Sequence, residues 1–321
     1  MVVRSDSGRA VLAAGQTLLS HTSNKVIFQL DARKGHKNGA VLVGQYCAQE
    51  RHDRGECLRM NLVEPKGIAV SYREDLYFID DRDLWRFPMS RAPLLNHTAG
   101  DSRCKNEQLM NERYAQASET QRLVTSAEKA GFRMRCGVTY KVSDFAFQMP
   151  TKLLYNPLED SLYIVDQSLV YKLHLKSLTL ATVIGCHDPL PPGSHIRDIT
   201  FNPDGELIFA TATQIFIRSS LDHSVSLIAG SNGEPSSFQP HLDLAHSYSF
   251  HGITAITSNV HGELFVADST AHRAMVSVLS VFLDLAEPCL LSIIRFRAPY
   301  FVPGIIYGLL NIISKKSKIN E

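Results

Sequence analysis

Three aspartates, Asp80, Asp166 and Asp268, each end a hydrophobic segment of the same kind, and carboxylates are common ligands of metal ions. The segments read LYFID, LYIVD and LFVAD. Because each aspartate holds the same position in a separate copy of a repeat, we expect the three to lie in different structural units and not around one ion. A carboxylate at a strand end can instead accept backbone N–H hydrogen bonds of the next turn. We therefore predict structural strand-end roles, with no metal site and no cofactor.

Other patterns of catalytic residues are scarce. The 13 histidines form no HExxH pair, and the chain has no Gly-x-Ser-x-Gly elbow and no Walker loop. His195 and His251 each precede a predicted strand and could face a central channel, so a lyase or hydrolase stays open as an alternative. The sequence predicts no catalytic residues and no enzyme activity.

Four of the six cysteines are placed in a way that suits disulfides. Cys47 and Cys57 flank a polar stretch, and Cys136 and Cys186 bracket the third copy of the repeat, 50 residues apart. We predict that these four are disulfide-bonded, and free thiols in a cytosolic protein are the alternative. The other two, Cys104 and Cys289, have no evident partner.

The aspartates belong to a phrase that the chain repeats: an apolar half-strand, a polar turn and a hydrophobic strand. The clear copies begin near residues 65, 150, 197 and 252, and a worn fifth copy lies over 10–21. Each copy is followed by signals for two more short strands, as in VYKL at 170–173 and TVIG at 182–185. Four short strands a copy, at a spacing near 45 to 60 residues, are typical of the blades of a β-propeller. Helical solenoids do not fit, because the copies carry no 3.6-residue stripe.

The predicted fold is therefore all-β, an NHL-type β-propeller with about five of an expected six blades. Its blades lie at about 9–44, 57–100, 140–185, 194–230 and 249–280, and together they form one domain over 1–280. Because the copies are too few to close the ring, we expect the propeller to be incomplete.

Two segments break the repeat. The interval between the second and third copies is 86 residues, and its excess falls at about 101–131, which we predict to be an inserted surface loop with a helix over about 111–130. The second segment, 281–321, is a divergent apolar tail. Its longest uncharged run, 298–314, is short for a membrane span, so a membrane helix and an apolar strap on the propeller both stay open.

Net charge and targeting signals limit the possible partners and the location of the protein. The chain has 33 basic and 32 acidic residues, so no global charge attracts nucleic acid. Its first residues are too polar for the core of a signal peptide. The sequon at Asn96 is nevertheless a predicted glycosylation site, as expected of an exported, loop-borne position.

The sequences of the repeat copies resemble those of the NHL-repeat propeller of teneurins, which are large single-pass adhesion proteins of the animal cell surface. GIAV at 67–70 and LYFID at 76–80 are similar to the teneurin phrase GPKGIAV…IYFVD, and PTKL at 150–153 with SLYIVD at 161–166 is similar to WPTDLAINP…SIYVLD. GELFVAD at 262–268 resembles DGTLYVAD. The teneurin family also has cysteines at the places of the four named above. The resemblance covers about 10–280, and it departs at Thr211 and His21, where the other copies have aspartate.

The resemblance implies a non-enzymatic recognition and adhesion module on the extracellular side of the plasma membrane, acting in neuronal cell-cell contact. Its partners would be proteins of the cell surface, either other teneurins or unrelated adhesion receptors, and membrane attachment would depend on parts outside this chain. Nucleic acid is not an expected partner of such a module. The alternative is a cytosolic NHL module that binds RNA or protein, which a basic face and reduced cysteines would favour.

Overall fold

The structure is a computed structural model. It describes residues 9–11, 16–31, 39–44, 60–73, 75–88, 120–126, 129, 131–186, 188, 190–230, 249–270, 273–278 and 295–297. The chain divides into two compact units, 6–187 and 188–321, and each is described by itself below.

The unit 6–187 contains three antiparallel sheets, which we call blades 1 to 3. Blade 1 has the strands β1 (Arg9–Val11), β2 (Gln16–His21), β3 (Val26–Asp31) and β4 (Gly39–Gly44). Blade 2 has β5 (Pro65–Val70), β6 (Asp75–Asp80), β7 (Asp83–Pro88) and β8 (Gln121–Val124). Blade 3 has β9 (Thr139–Lys141), β10 (Pro150–Asn156), β11 (Ser161–Asp166), β12 (Leu169–His174) and β13 (Thr179–Ile184).

The unit 188–321 contains blades 4 and 5. Blade 4 has β14 (Asp198–Phe201), β15 (Leu207–Ala210), β16 (Ile215–Arg218) and β17 (Val225–Ala229). Blade 5 has β18 (Ile253–Ser258), β19 (Glu263–Asp268), β20 (Arg273–Val278) and β21 (Arg295–Arg297). In the blades of both units, four strands pair in the order in which they follow along the chain. The predicted all-β class with propeller-type blades is confirmed.

The second strand of a blade reads as a continuous apolar run because both of its faces are covered. Every residue of β6 is buried. Leu76 and Phe78 pack into a core with Leu18 and Ile27 of blade 1. Tyr77 and Ile79 point to the other face and pack into a core with residues of blade 3 such as Leu162 and Ile164. The period of two along a strand therefore places alternate residues of β6 in two different cores.

A glycine allows blades 2 and 3 to approach closely. A Cβ atom on Gly67 of β5 would lie 2.8 Å from the backbone nitrogen of Leu153 in β10. No side chain fits at that distance, so close packing of the two blades explains why the GIAV segment of the second copy begins with glycine.

Two of the predicted boundaries and the number of strands in blade 3 differ from the structure. The outer strand of blade 2, β8, lies inside the interval 101–131 that was predicted to be an insert, and its residues are a strand where a helix was expected. The outer strand of blade 5, β21, lies inside the predicted tail, 281–321. Both strands follow long intervals in the chain, so the spacing of the repeat did not indicate them. Blade 3 also gains a fifth strand, because β9 pairs with β13.

The rest of the predicted insert and tail lies outside the described residues, as does the uncharged run 298–314. In the part of the chain that the structure describes, there is no helix with the length and apolar character needed to cross a membrane.

Candidate functional site

The three strand-end aspartates hold the segment that leads into their own blade. Asp80 accepts hydrogen bonds from the backbone nitrogens of Val63 and Glu64 at 2.8 and 2.7 Å. Asp166 accepts them from Gln148 and Met149 at 2.8 and 2.6 Å, and Asp268 accepts them from His251 and Gly252 at 3.0 and 2.8 Å. The donors come before the first strand of the blade, and not from the turn that follows the aspartate. Each carboxylate thus fastens the start of a blade to the end of its second strand.

The two departures from aspartate make different contacts. The Thr211 hydroxyl accepts a hydrogen bond from the backbone nitrogen of Gln214 at 3.1 Å, within its own turn. His21 Nδ1 likewise accepts one from the backbone nitrogen of Asn24 at 3.3 Å. At these two positions the side chain binds the following turn, as was expected for the aspartates.

Burial raises the pKa of Asp80 and Asp166 above the usual range, because the backbone hydrogen bonds offset only part of the loss of solvation. A carboxyl group whose pKa is raised by folding binds its proton more tightly in the folded protein. Its contribution to stability is therefore complete below the usual aspartate pKa, about 3.9, and is lost as the pH rises through the raised value.

We expect a comparison of the wild type with the Asp80→Asn variant to show this pH dependence. The free energy of unfolding of the wild type minus that of the variant should fall as the pH rises from about 3 to neutral, because only the wild type carries the titrating carboxyl group. Urea unfolding at several pH values measures both. A difference that grows with pH would mean that the hydrogen bonds from Val63 and Glu64 outweigh the burial.

The two histidines that could face a predicted channel, His195 and His251, both belong to the unit 188–321. His195 is exposed, and His251 Nδ1 lies 3.9 Å from a carboxylate oxygen of Asp268. Within the described ranges, no three His, Cys, Asp or Glu side chains come together in a way that could hold a metal ion.

The structure contains a disulfide between Cys136 and Cys186, one of the two predicted pairs, with the Cα atoms 5.7 Å apart. Cys136 lies three residues before the fifth strand, β9, and Cys186 lies two residues after the end of β13, so the bond lies at the same edge of blade 3 that β9 covers. A disulfide is typical of proteins that fold in an oxidising compartment. The predicted Cys47–Cys57 pair, the glycosylation site Asn96, and Cys104 and Cys289 lie outside the described residues.

Sequence analysis missed a surface where two hairpin turns meet. We call it the hairpin face, formed by Tyr72 and Arg73 of the β5–β6 turn and by Leu158 and Asp160 of the β10–β11 turn, with Arg86 of β7 beside them. Arg73 Nε donates a hydrogen bond to the Tyr72 hydroxyl at 2.7 Å, and its guanidinium lies 3.4 Å from Asp160. The Tyr155 hydroxyl donates to the other oxygen of Asp160 at 3.0 Å. The two blades are thus joined by a closed ring of contacts, since the Tyr72 and Tyr155 rings lie 6.5 Å apart.

The hairpin face exposes large side chains on a fixed support. Tyr72 is 60 % exposed and Leu158 is 86 % exposed. Burial raises the pKa of Tyr155 to about 12, so its hydroxyl stays a hydrogen-bond donor at neutral pH. Tyrosine and arginine are the residue types that contribute most to binding at protein interfaces. The geometry is therefore suited to recognition.

Comparisons with known proteins agree on the fold. A protein of unknown function from Bacteroides thetaiotaomicron is 13 % identical, with a TM-score of 0.50 over 81 % of this chain and 56 % of that one. An auxiliary nutrient binding protein from Bacteroides ovatus is 9 % identical, with a TM-score of 0.50 over 89 % of this chain and 54 % of that one. The chain thus spans just over half the length of these two proteins. No model of a protein family and no curated protein matches the sequence. At such identities the likeness shows a shared fold and no shared activity.

Proposed function

We propose that this chain is a non-enzymatic, extracellular recognition module of a teneurin-like cell-surface protein, and that it binds protein partners in cell-cell contact. The observation that supports this most is the hairpin face, where Tyr72, Arg73 and Leu158 are exposed on turns that lead into the fully buried strands β6 and β11. Loops on a rigid β scaffold are the usual place for binding residues. The teneurin part of the proposal rests on the wording of the repeats.

The disulfide supports the extracellular part of the proposal. Cytosolic glutathione and thioredoxin keep most thiols reduced, whereas a bond such as Cys136–Cys186 persists in secreted proteins and on cell surfaces. Adhesion proteins act in that environment.

We expect the secreted, multimerised chain to stain the surface of cultured neurons, and a variant with Tyr72→Ala and Leu158→Asp to stain them at least about tenfold more weakly. Truncation of a hot-spot residue, one of the few that dominate an interface, costs 2 kcal/mol or more, which is about thirtyfold in affinity. Leu221→Asp is the matched control, because Leu221 is 94 % exposed on a turn of the other unit. Flow cytometry over a concentration series measures the staining.

Two results would contradict the proposal. One is staining that survives protease treatment of the cells, since the partner would then not be a surface protein. The other is a peptide mass map of the alkylated, secreted chain showing free thiols at Cys136 and Cys186, since the compartment would then not be the one proposed. The same mass measurement reports whether Asn96 carries a glycan.

A further inference from the structure

The two arginine–aspartate pairs of the hairpin face share an orientation, whereas in the nearby Lys172–Glu159 pair the carboxylate is the more exposed partner. In the Arg73–Asp160 pair the arginine side chain is 59 % exposed and the aspartate 25 %. In the Arg86–Asp75 pair, which is closed at 2.8 Å, the arginine is 34 % exposed and the aspartate 6 %. Both guanidinium groups therefore lie toward the solvent, with their carboxylates beneath them. At these two pairs, an approaching partner meets the guanidinium group before the carboxylate.

The two ion pairs belong to one patch because Arg73 of one pair and Asp75 of the other lie two residues apart, at the start of β6. Burial raises the pKa of Tyr77 to about 12, and Asp75, Arg86, Asp160 and Arg73 all act on its hydroxyl electrostatically. Tyr77 lies near the start of β6, the strand that begins at Asp75. One blade supplies Arg73, Arg86 and Asp75, and the neighbouring blade supplies Asp160.

The outer arginine is held in place before anything binds. Its Nε donates to the Tyr72 hydroxyl at 2.7 Å, and its Cζ atom lies 5.1 Å from the centre of the Tyr72 ring. A guanidinium that is already oriented loses less side-chain freedom on binding than a free one. The apolar side chain of Leu158, on the turn that also carries Asp160, is exposed to water. Covering it with an apolar side chain of a partner would be favourable.

We propose that the hairpin face binds an acidic segment of a partner protein, whose carboxylate pairs with Arg73 and whose neighbouring apolar side chain packs on Leu158. This rests on the proposed function and names the chemistry of its partner. A dense polyanion such as a sulfated polysaccharide fits less well, because the carboxylates of Asp75 and Asp160 balance the two arginines and leave no net positive charge across these pairs. A protein segment needs only one charge, and it supplies the apolar contact as well.

The test is a selection of peptides from a random displayed library on the immobilised, secreted chain. We expect the enriched peptides to combine Asp or Glu with a large apolar residue, and to bind the Arg73→Glu variant at least about tenfold more weakly than the wild type. A hydrogen bond between charged groups is worth about 1.5–3 kcal/mol, which is a factor of about 10 to 150. Arg133→Glu makes the same charge change at an exposed arginine in the segment before β9 and should leave binding unchanged.

Several outcomes would overturn the inference. They are the enrichment of peptides without acidic residues, equal binding to the Arg73→Glu variant, equal weakening by Arg133→Glu, and no enrichment at all. Retention on heparin that Arg73→Glu abolishes would assign the face to a polysaccharide instead. The unfolding midpoint of the Arg73→Glu variant shows whether the fold is intact, and Arg73→Gln, which keeps the size of the side chain, gives the same comparison without reversing the charge. If neuronal staining persists while the peptides fail, the acidic partner is wrong and the recognition function stands.

Discussion

Replacing both Cys136 and Cys186 by serine is expected to lower the free energy of unfolding of the unit 6–187 by about 4 kcal/mol. The bond spans 50 residues, and closing a loop of that length removes about this much chain entropy from the unfolded state. The loss is large beside the 5–15 kcal/mol that stabilises an ordinary domain. We expect the fifth strand of blade 3, β9, to be the strand most affected by the loss of the bond, because it begins three residues after Cys136.

Trp85 makes the loss measurable in the right unit. It is the single tryptophan of the chain, and it stacks on Phe78 with the ring centres 6.3 Å apart. Urea unfolding followed by its fluorescence should give a lower midpoint for the double variant in the absence of reductant. With reductant present, the wild type and the variant should unfold together. A difference that persists with reductant would assign the effect to the serine side chains, and equal midpoints without reductant would show that the bond adds no stability.

β9 is also held by contacts that survive the loss of the disulfide. Phe145, which is fully buried, packs edge-on against Phe132, Tyr140, Phe147 and Tyr171, with ring centres 4.8–5.6 Å apart. Lys129 Nζ donates a hydrogen bond to the Phe145 carbonyl at 2.9 Å. The variant should therefore fold and keep β9 in place at low urea, so the experiment measures stability and not the presence of the fold.

The blades could be predicted from the sequence because each is built from contacts between residues close in the chain. The hairpins β5–β6 and β10–β11 are joined by short turns, and their second strands read as apolar runs. The outer strands β8 and β21 could not be predicted, because each is only three or four residues long and pairs after an interval with no repeat wording. Strand β9 was missed for a different reason. It precedes its blade in the chain, yet it pairs with the last strand of that blade.

The candidate site was harder to predict than the fold. The turn residues Tyr72 and Asp160 are ordinary in their own segments, and they become a surface only because blades 2 and 3 lie against each other. Arg73 and Asp160 are 87 residues apart in the chain. No local pattern reports such a pairing, whereas the strand-end aspartates could be found because the repeat places one in each of three copies. Their donors were predicted on the wrong side, since sequence alone cannot tell which neighbouring backbone a buried carboxylate faces.

Removing the carboxylate of Asp166 is expected to cost about 2–4 kcal/mol, the second largest effect. The side chain is only 2 % exposed, and it accepts the backbone N–H groups of Gln148 and Met149 on separate oxygens. In the Asp166→Ala variant both N–H groups lose their acceptor. A buried group without its partner costs about 1–3 kcal/mol, and we expect the lower part of the combined range because both hydrogen bonds are only partly buried. The start of blade 3 would then be fastened to β11 only from Pro150 onward.

A comparison of two substitutions separates the hydrogen bonds from the charge. Asp166→Asn keeps one oxygen, and it removes the charge whose burial raises the pKa of this group, so it should cost less than Asp166→Ala. Asp144→Ala is the matched control in the same unit, because Asp144 is exposed and its loss should stay within about 0.5 kcal/mol. Unfolding of all three variants followed by Trp85 fluorescence gives the order. If Asp166→Ala is as stable as Asp144→Ala, the strand-end aspartates do not fasten the blades, and their recurrence at the end of the second strand needs another cause.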